Sequence, residues 1–245
     1  IISYGLVALI ILLKIILNIF GFNEFISSIH QFNFSYILNF IVGVNLLFSG
    51  IFMVLQNNIK KIMLHLLFNQ LIFAIFLFLI LHQAINQFII TIIAFILSQS
   101  LIFLSLGNIN LYLLKAKEKT LTGIFYKLKY NIILLIFAFG SIIGVSPAIG
   151  MVEKWIFIQN YLINEFDFNL LIIFTNIILI LISVIRIISP LFMKDKNTNE
   201  EDNALALKID RDLGLISPSF IIASLMLASF IFSGLINNYL KLFLI

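Results

Sequence analysis

The sequence predicts an all-α, polytopic transmembrane helix bundle of about seven spans, and three observations carry that reading. The first is composition: 62% of the 245 residues are apolar and 11% charged, with a mean hydropathy of +1.16. A soluble domain carries about 25% charged residues because its exterior faces water, so lipid is the solvent this chain must face. The second is a division into apolar runs that are each long enough to cross a bilayer and lack the alternation of a transmembrane β-strand. The third is the gathering of basic residues on one side once those runs are counted. The whole chain, 1–245, reads as one membrane domain, with a hydrophilic inside loop at 194–214.

The expected spans are about 1–20, 34–56, 60–81, 86–113, 130–161, 168–193 and 215–240. Turn residues or charge separate them: Gly21-Phe-Asn-Glu24, Gln56-Asn-Asn58, His82-Gln83, Lys115 to Lys119, Asn164-Glu-Phe-Asp167, and the polar stretch from Lys194 to Asp212. The second, fourth and sixth connections then share a side with the N-terminus. They hold Lys60, Lys61, Lys115, Lys117, Lys119, Lys127, Lys129, Lys194, Lys196, Lys208 and Arg211, and the opposite side holds Lys241 alone. This asymmetry puts the N-terminus on the matrix or cytoplasmic side and makes Lys60 and Lys61 topology anchors.

Three basic residues remain within spans: Lys14, Lys154 and Arg186, with Glu153 the one acidic residue well inside. An ionisable group at bilayer depth costs several kcal/mol, about 2.5–3.5 on insertion scales, so each needs a reason. Lys14 and Arg186 lie within about two turns of a span end, where a long side chain snorkels to the interface. Lys154 lies deeper. Its run of about 32 residues would make a straight helix roughly 48 Å long, well beyond a hydrocarbon core of about 30 Å.

That run contains Gly144-Val-Ser-Pro147-Ala-Ile-Gly150. Pro147 removes a helical hydrogen bond and crowds the preceding turn, and the flanking Gly144 and Gly150 let the backbone leave helical geometry. A discontinuous helix is therefore expected, with Lys154 one turn after Gly150. A lysine beside such a break can hold or release a proton as neighbouring charges and hydration change. The same residues also read as a Pro-kinked helix whose lysine pairs with Glu153 or snorkels outward.

Zero Cys excludes disulfides and thiolate or iron–sulfur ligation, and His30, His65 and His82 make no metal-ligand spacing. No metal site and no nucleic-acid partner is expected; lipids are. Ile1 opens the chain without a basic n-region or a small-residue cleavage site, so no signal or transit peptide is expected and the start reads as a fragment boundary. The abundance of Ile, Asn, Lys and Phe has the flavour of an AT-rich genome, an organelle's or a reduced bacterium's.

The segment Gly144-Val-Ser-Pro147-Ala-Ile-Gly150-Met-Val-Glu-Lys154-Trp resembles the Gly-x-Pro-Pro-x-x-Gly-Phe-x-x-Lys motif on the broken twelfth helix of the antiporter-like subunits of complex I, the proton-pumping NADH:quinone oxidoreductase. Leu55-Gln-Asn-Asn58-Ile-Lys60-Lys61-Ile-Met-Leu-His65 resembles that family's Gln-x-(Asp/Asn)-x-Lys-Arg-x-x-Ala-(Tyr/His)-Ser segment, closest to subunit 2 among the three paralogues. Leu101-Ile-Phe103-Leu-Ser-Leu-Gly107-Asn-Ile looks like its eleventh helix, and Val184-Ile-Arg186 like the end of its thirteenth. Order and spacing hold over about residues 1–240, so the seven spans resemble helices eight to fourteen of a fourteen-helix subunit.

The resemblance implies a membrane-arm subunit that couples distant redox steps to proton movement, with flavin, iron–sulfur clusters and quinone on other subunits and no cofactor on this chain. The proton-translocation candidates it implies are Lys154, Lys14 as a relocated relay, Glu153 as its partner, Gln99 as a water holder, and His65. The departures are equally specific. If Lys14 takes the family's arginine position, its central lysine falls at Leu6; the eleventh helix's His and Lys fall at Phe95 and Gln99; and Leu66 and Leu67 follow His65. These losses also fit a scaffold subunit that no longer pumps. A cation/proton antiporter of the Mrp type and a membrane-bound hydrogenase subunit look similar in these motifs. The partners implied are other membrane-arm subunits, including a chain carrying the missing N-terminal helices and packed against the first and fifth spans. The membrane implied is the mitochondrial inner membrane with the N-terminus in the matrix, or alternatively a bacterial plasma membrane.

Overall fold

A computed structural model of the chain describes residues 34–80, 85–116, 122–162, 168–193, 206, 209–210 and 212–235. They form helices, with no strand among the described residues: α1 Phe34–Leu55, α2 Ile59–Ile80, α3 Ile85–Ala116, the short α4 Ile124–Lys127, α5 Lys129–Ile143, α6 Ile149–Leu162, α7 Phe168–Phe192 and α8 Leu213–Ile231. The expected first span, with Leu6 and Lys14, lies outside the described residues, as does most of the loop at 194–214. Among the described residues α1, α2, α3, α7 and α8 each contain a stretch long and apolar enough to cross a membrane, which makes this a multi-pass membrane protein. The fifth run is divided between α5 and α6, neither of which is long enough alone.

The surface is inverted relative to that of a soluble protein. On α1, Ile37, Phe40, Ile41, Phe48, Phe52 and Leu55 are exposed, whereas Ser49, Asn69, Gln70, Asn131 and Ser183 are buried. Apolar exposure on this scale fits lipid, not water. Several of the hydroxyls that helices carry return hydrogen bonds to their own backbone, as Ser98 Oγ does to Ala94 O at 2.7 Å and Ser224 Oγ to Ile221 O at 2.7 Å. No water is needed there.

The chain forms two compact units, Ile1–Ile89 with Gln159–Ile180, and Ile90–Ile158 with Leu181–Ile245. In the first, α1 and α2 form an antiparallel hairpin across Gln56–Asn58, where Asn58 Oδ1 accepts the Lys60 N–H at 3.0 Å and so caps α2. The register is legible in three contacts: Phe52 stacks on His65 at 6.2 Å, Asn69 reaches Leu46 O at 3.2 Å, and Gly43 faces Phe76. A Cβ at Gly43 would stand 2.7 Å from Ile172 Cδ1, and one at Gly50 2.9 Å from Leu179 Cδ1. Both helices advance by the same number of residues in the same sense, so α1 and α7 run parallel and touch through glycine. Asn69 joins this contact, donating to Ser49 Oγ at 2.7 Å and to Asn176 Oδ1 at 2.8 Å, while Asn176 Nδ2 returns a bond to Asn69 Oδ1 at 3.2 Å.

In the second unit, Ile90 and Ala94 of α3 share a buried cluster with Ile149 of α6, and Asn108, further along α3, donates to Asn131 of α5 at 2.8 Å. The α5–α6 segment thus runs antiparallel to α3 along about 27 Å, the rise of α3 from Ile90 to Asn108 at roughly 1.5 Å per residue. Together α5 and α6 follow α3 in two pieces.

Candidate functional site

The break follows from local chemistry. α5 stops at Ile143 because Gly144 adopts a left-handed conformation, φ 95°, where only glycine is at ease. Its N–H and that of Val145 fold back on Gly140 O at 2.9 and 2.8 Å, the usual left-handed ending of a helix. After Ser146 and Pro147 the chain re-enters helix at Ile149. Gly150 lies directly against the end of α5: its N–H donates to Ser141 Oγ at 3.3 Å, and any Cβ there would overlap the Ser141 carbonyl oxygen. The second half-helix therefore passes the first at a distance that only glycine permits.

This close passage brings Lys154 under the end of α5. Its Nζ donates to Ile142 O at 2.7 Å and to Glu153 Oε1 at 2.9 Å. Lys154 is 5% exposed and Glu153 6%. The aliphatic stem of Lys154 lies over Gly144, where a Cβ would come within 2.6 Å of Lys154 Cδ. Neighbouring residues on a helix point about 100° apart and seldom meet, so the Glu153–Lys154 bond marks a site in which both charges are enclosed and find each other. Ile142 O belongs to the last turn of α5 and has no partner within its helix. The ammonium thus performs two tasks: it neutralises a buried carboxylate and caps the negative end of a half-helix.

Of the candidates read from the sequence, Gly144, Gly150, Glu153 and Lys154 come together, and Pro147 sits in the exposed part of the break with Val145 and Ser146. Gln99 is 1% exposed on α3, and its Nε2 has no hydrogen-bond partner among the described residues. Phe95, Leu66 and Leu67, at polar positions of the resembled family, are packed in the interior. His65 is half-buried against Phe52, and Lys60 and Lys61 are exposed at the start of α2; all three belong to the first unit, while Lys154 belongs to the second. Lys14 lies outside the described residues.

The sequence did not single out three residues that the structure buries at the start of α5. Asp210, in the expected inside loop, is 5% exposed and accepts from Tyr130 N, Asn131 N and Asn131 Nδ2 at 3.2, 3.3 and 3.0 Å. Asn131 in turn accepts from Asn108, which also donates to Leu215 O at 3.0 Å. Lys127, counted above among the loop lysines, is instead buried at 5% exposure with Nζ 5.7 Å from the Tyr112 ring centre. Comparison with protein-family models, curated proteins and solved structures found no match.

Proposed function

We propose that the chain is a membrane-arm subunit of a proton-pumping NADH:ubiquinone oxidoreductase, complex I, and that it contributes to proton translocation coupled to electron transfer from NADH to quinone. The observation that carries this reading is the enclosed Glu153–Lys154 pair at the helix break. A lysine held by one carboxylate and one carbonyl changes its hold on a proton when either acceptor moves, and the break supplies a place where one can. The motif resemblance around Gly144–Trp155 adds the family. Redox chemistry is assigned to other subunits, and the membrane to the mitochondrial inner membrane with the N-terminus in the matrix.

The break opens at Val145, Ser146 and Pro147, with Trp155 also exposed. Non-helical backbone at bilayer depth needs protein or water beside it. This supports a partner chain against the fifth span.

The test is Lys154→Ala and Lys154→Gln in the intact complex, with the proton-to-electron stoichiometry measured in sealed vesicles. A lower stoichiometry is expected; an unchanged one removes the pumping role. Mass spectrometry of co-purifying chains decides the complex: flavin and iron–sulfur subunits are expected, and their absence would favour an Mrp-type antiporter or a hydrogenase. A second reading, a non-pumping scaffold, is favoured by one specific contact. Lys154 caps Ile142 O, which is a structural task that would keep the lysine in place without any proton transfer.

A further inference from the structure

α5 carries at each end a charge that its own sequence does not provide. It begins after Leu128, whose side chain makes no capping hydrogen bond, although the first turn of any helix leaves N–H groups without intrahelical partners. Asp210 supplies the acceptors from 79 and 80 residues further along the chain, Oδ2 to Tyr130 N and Oδ1 to Asn131 N. At the other end the ammonium of Lys154 takes Ile142 O. A carboxylate at the positive end and an ammonium at the negative end both act with the helix dipole. The buried charged residues among those described are Lys127, Glu153, Lys154 and Asp210, and two of these four grip one helix.

We propose that Asp210 is a positioning residue for Lys154. It fixes the inner end of α5, and α5, a rod of 15 residues and about 22 Å, fixes the carbonyl on which the ammonium rests. Asn108 stiffens the same end by bonding both Asn131 and the Leu215 carbonyl, so the rod is tied to α3 and α8. A loop carboxylate that looks solvated in the sequence thereby sets the geometry of the break. The proposal deepens the proton-translocation reading and rests on it for its functional meaning, while its structural content is testable without transport.

The experiment is hydrogen exchange read by mass spectrometry on the full chain in its native membrane assembly. In Asp210→Asn the exchange of peptides covering 141–155 is expected to rise about two- to fivefold, the factor that one helix-end charge gives, together with that of the first turn of α5. Asp210→Glu, which keeps the charge, should restore the distant peptide. Because coupling is reciprocal, Lys154→Gln should raise exchange at Tyr130 and Asn131, and this variant decides if Asp210→Asn does not accumulate. Exchange changes confined to the mutated end in both variants would overturn the proposal and leave the pump reading to its own test. Spreading exchange with an unchanged proton stoichiometry in Lys154→Ala would keep the positioning role and remove the pump.

Discussion

A methyl group at Gly150 has no room, because the Ser141 carbonyl already occupies the place. Gly150→Ala should therefore push the half-helices apart and lower stability by about 1–3 kcal/mol, the range for overpacking a tight contact. Gly107 on α3 is the control: nothing lies within 4 Å of a Cβ there, so Gly107→Ala should be neutral or raise stability by up to about 1 kcal/mol through helix propensity. Thermal unfolding in one detergent compares the two. Gly144, Gly150 and Lys154 were legible in the sequence because glycine, proline and an intramembrane charge are each costly without a purpose. Asp210 and Lys127 were not. Both sit in polar stretches where charge is ordinary, and their burial depends on contacts such as Asp210 with Asn131 and Lys127 with Tyr112 that no local pattern encodes.

Element boundaries follow the apolar runs closely: 34–56 corresponds to Phe34–Leu55, 60–81 to Ile59–Ile80, and 168–193 to Phe168–Phe192. Long unbroken hydrophobicity bounded by polar turns leaves little choice. The short α4, Ile124–Lys127, is invisible to this reasoning because four residues carry no periodicity. Helix pairing is also hidden, since in lipid it depends on small residues and hydrogen bonds, not on an apolar face. The reciprocal Asn69–Asn176 pair beside Gly50 is such a contact in the first unit. Asn69→Ala should cost about 0.6–1.7 kcal/mol, from the mean to the maximum measured for interhelical polar contacts in membranes. A double-mutant cycle with Asn176→Ala, read by unfolding in denaturing detergent, should return a coupling of the same sign.

At the scale of the molecule the prediction is one of sidedness. The chain has no cysteine, so single cysteines report without interference. Cysteines at the exposed Lys60 and Lys115 should react with an impermeant maleimide from the side of the N-terminus, and one at the exposed Gln159 from the opposite side. Labelling of Gln159→Cys from the same side as Lys115→Cys would mean that α5 and α6 fail to cross. The basic-residue asymmetry is what predicts this orientation, but it could not show that the run after α3 folds as two pieces held together at Gly150. The two ends of α5 also differ in when their partners are made. Lys154 follows Ile142 by 12 residues, whereas Asp210 follows Asn131 by 79. At synthesis rates of about 5–20 residues per second, the N-terminal end of α5 waits about 4–16 s for its carboxylate. During biogenesis the half-helix must be sheltered by the insertion machinery or by α3 until α7 has been threaded, which makes the order of membrane insertion part of how this chain reaches its fold.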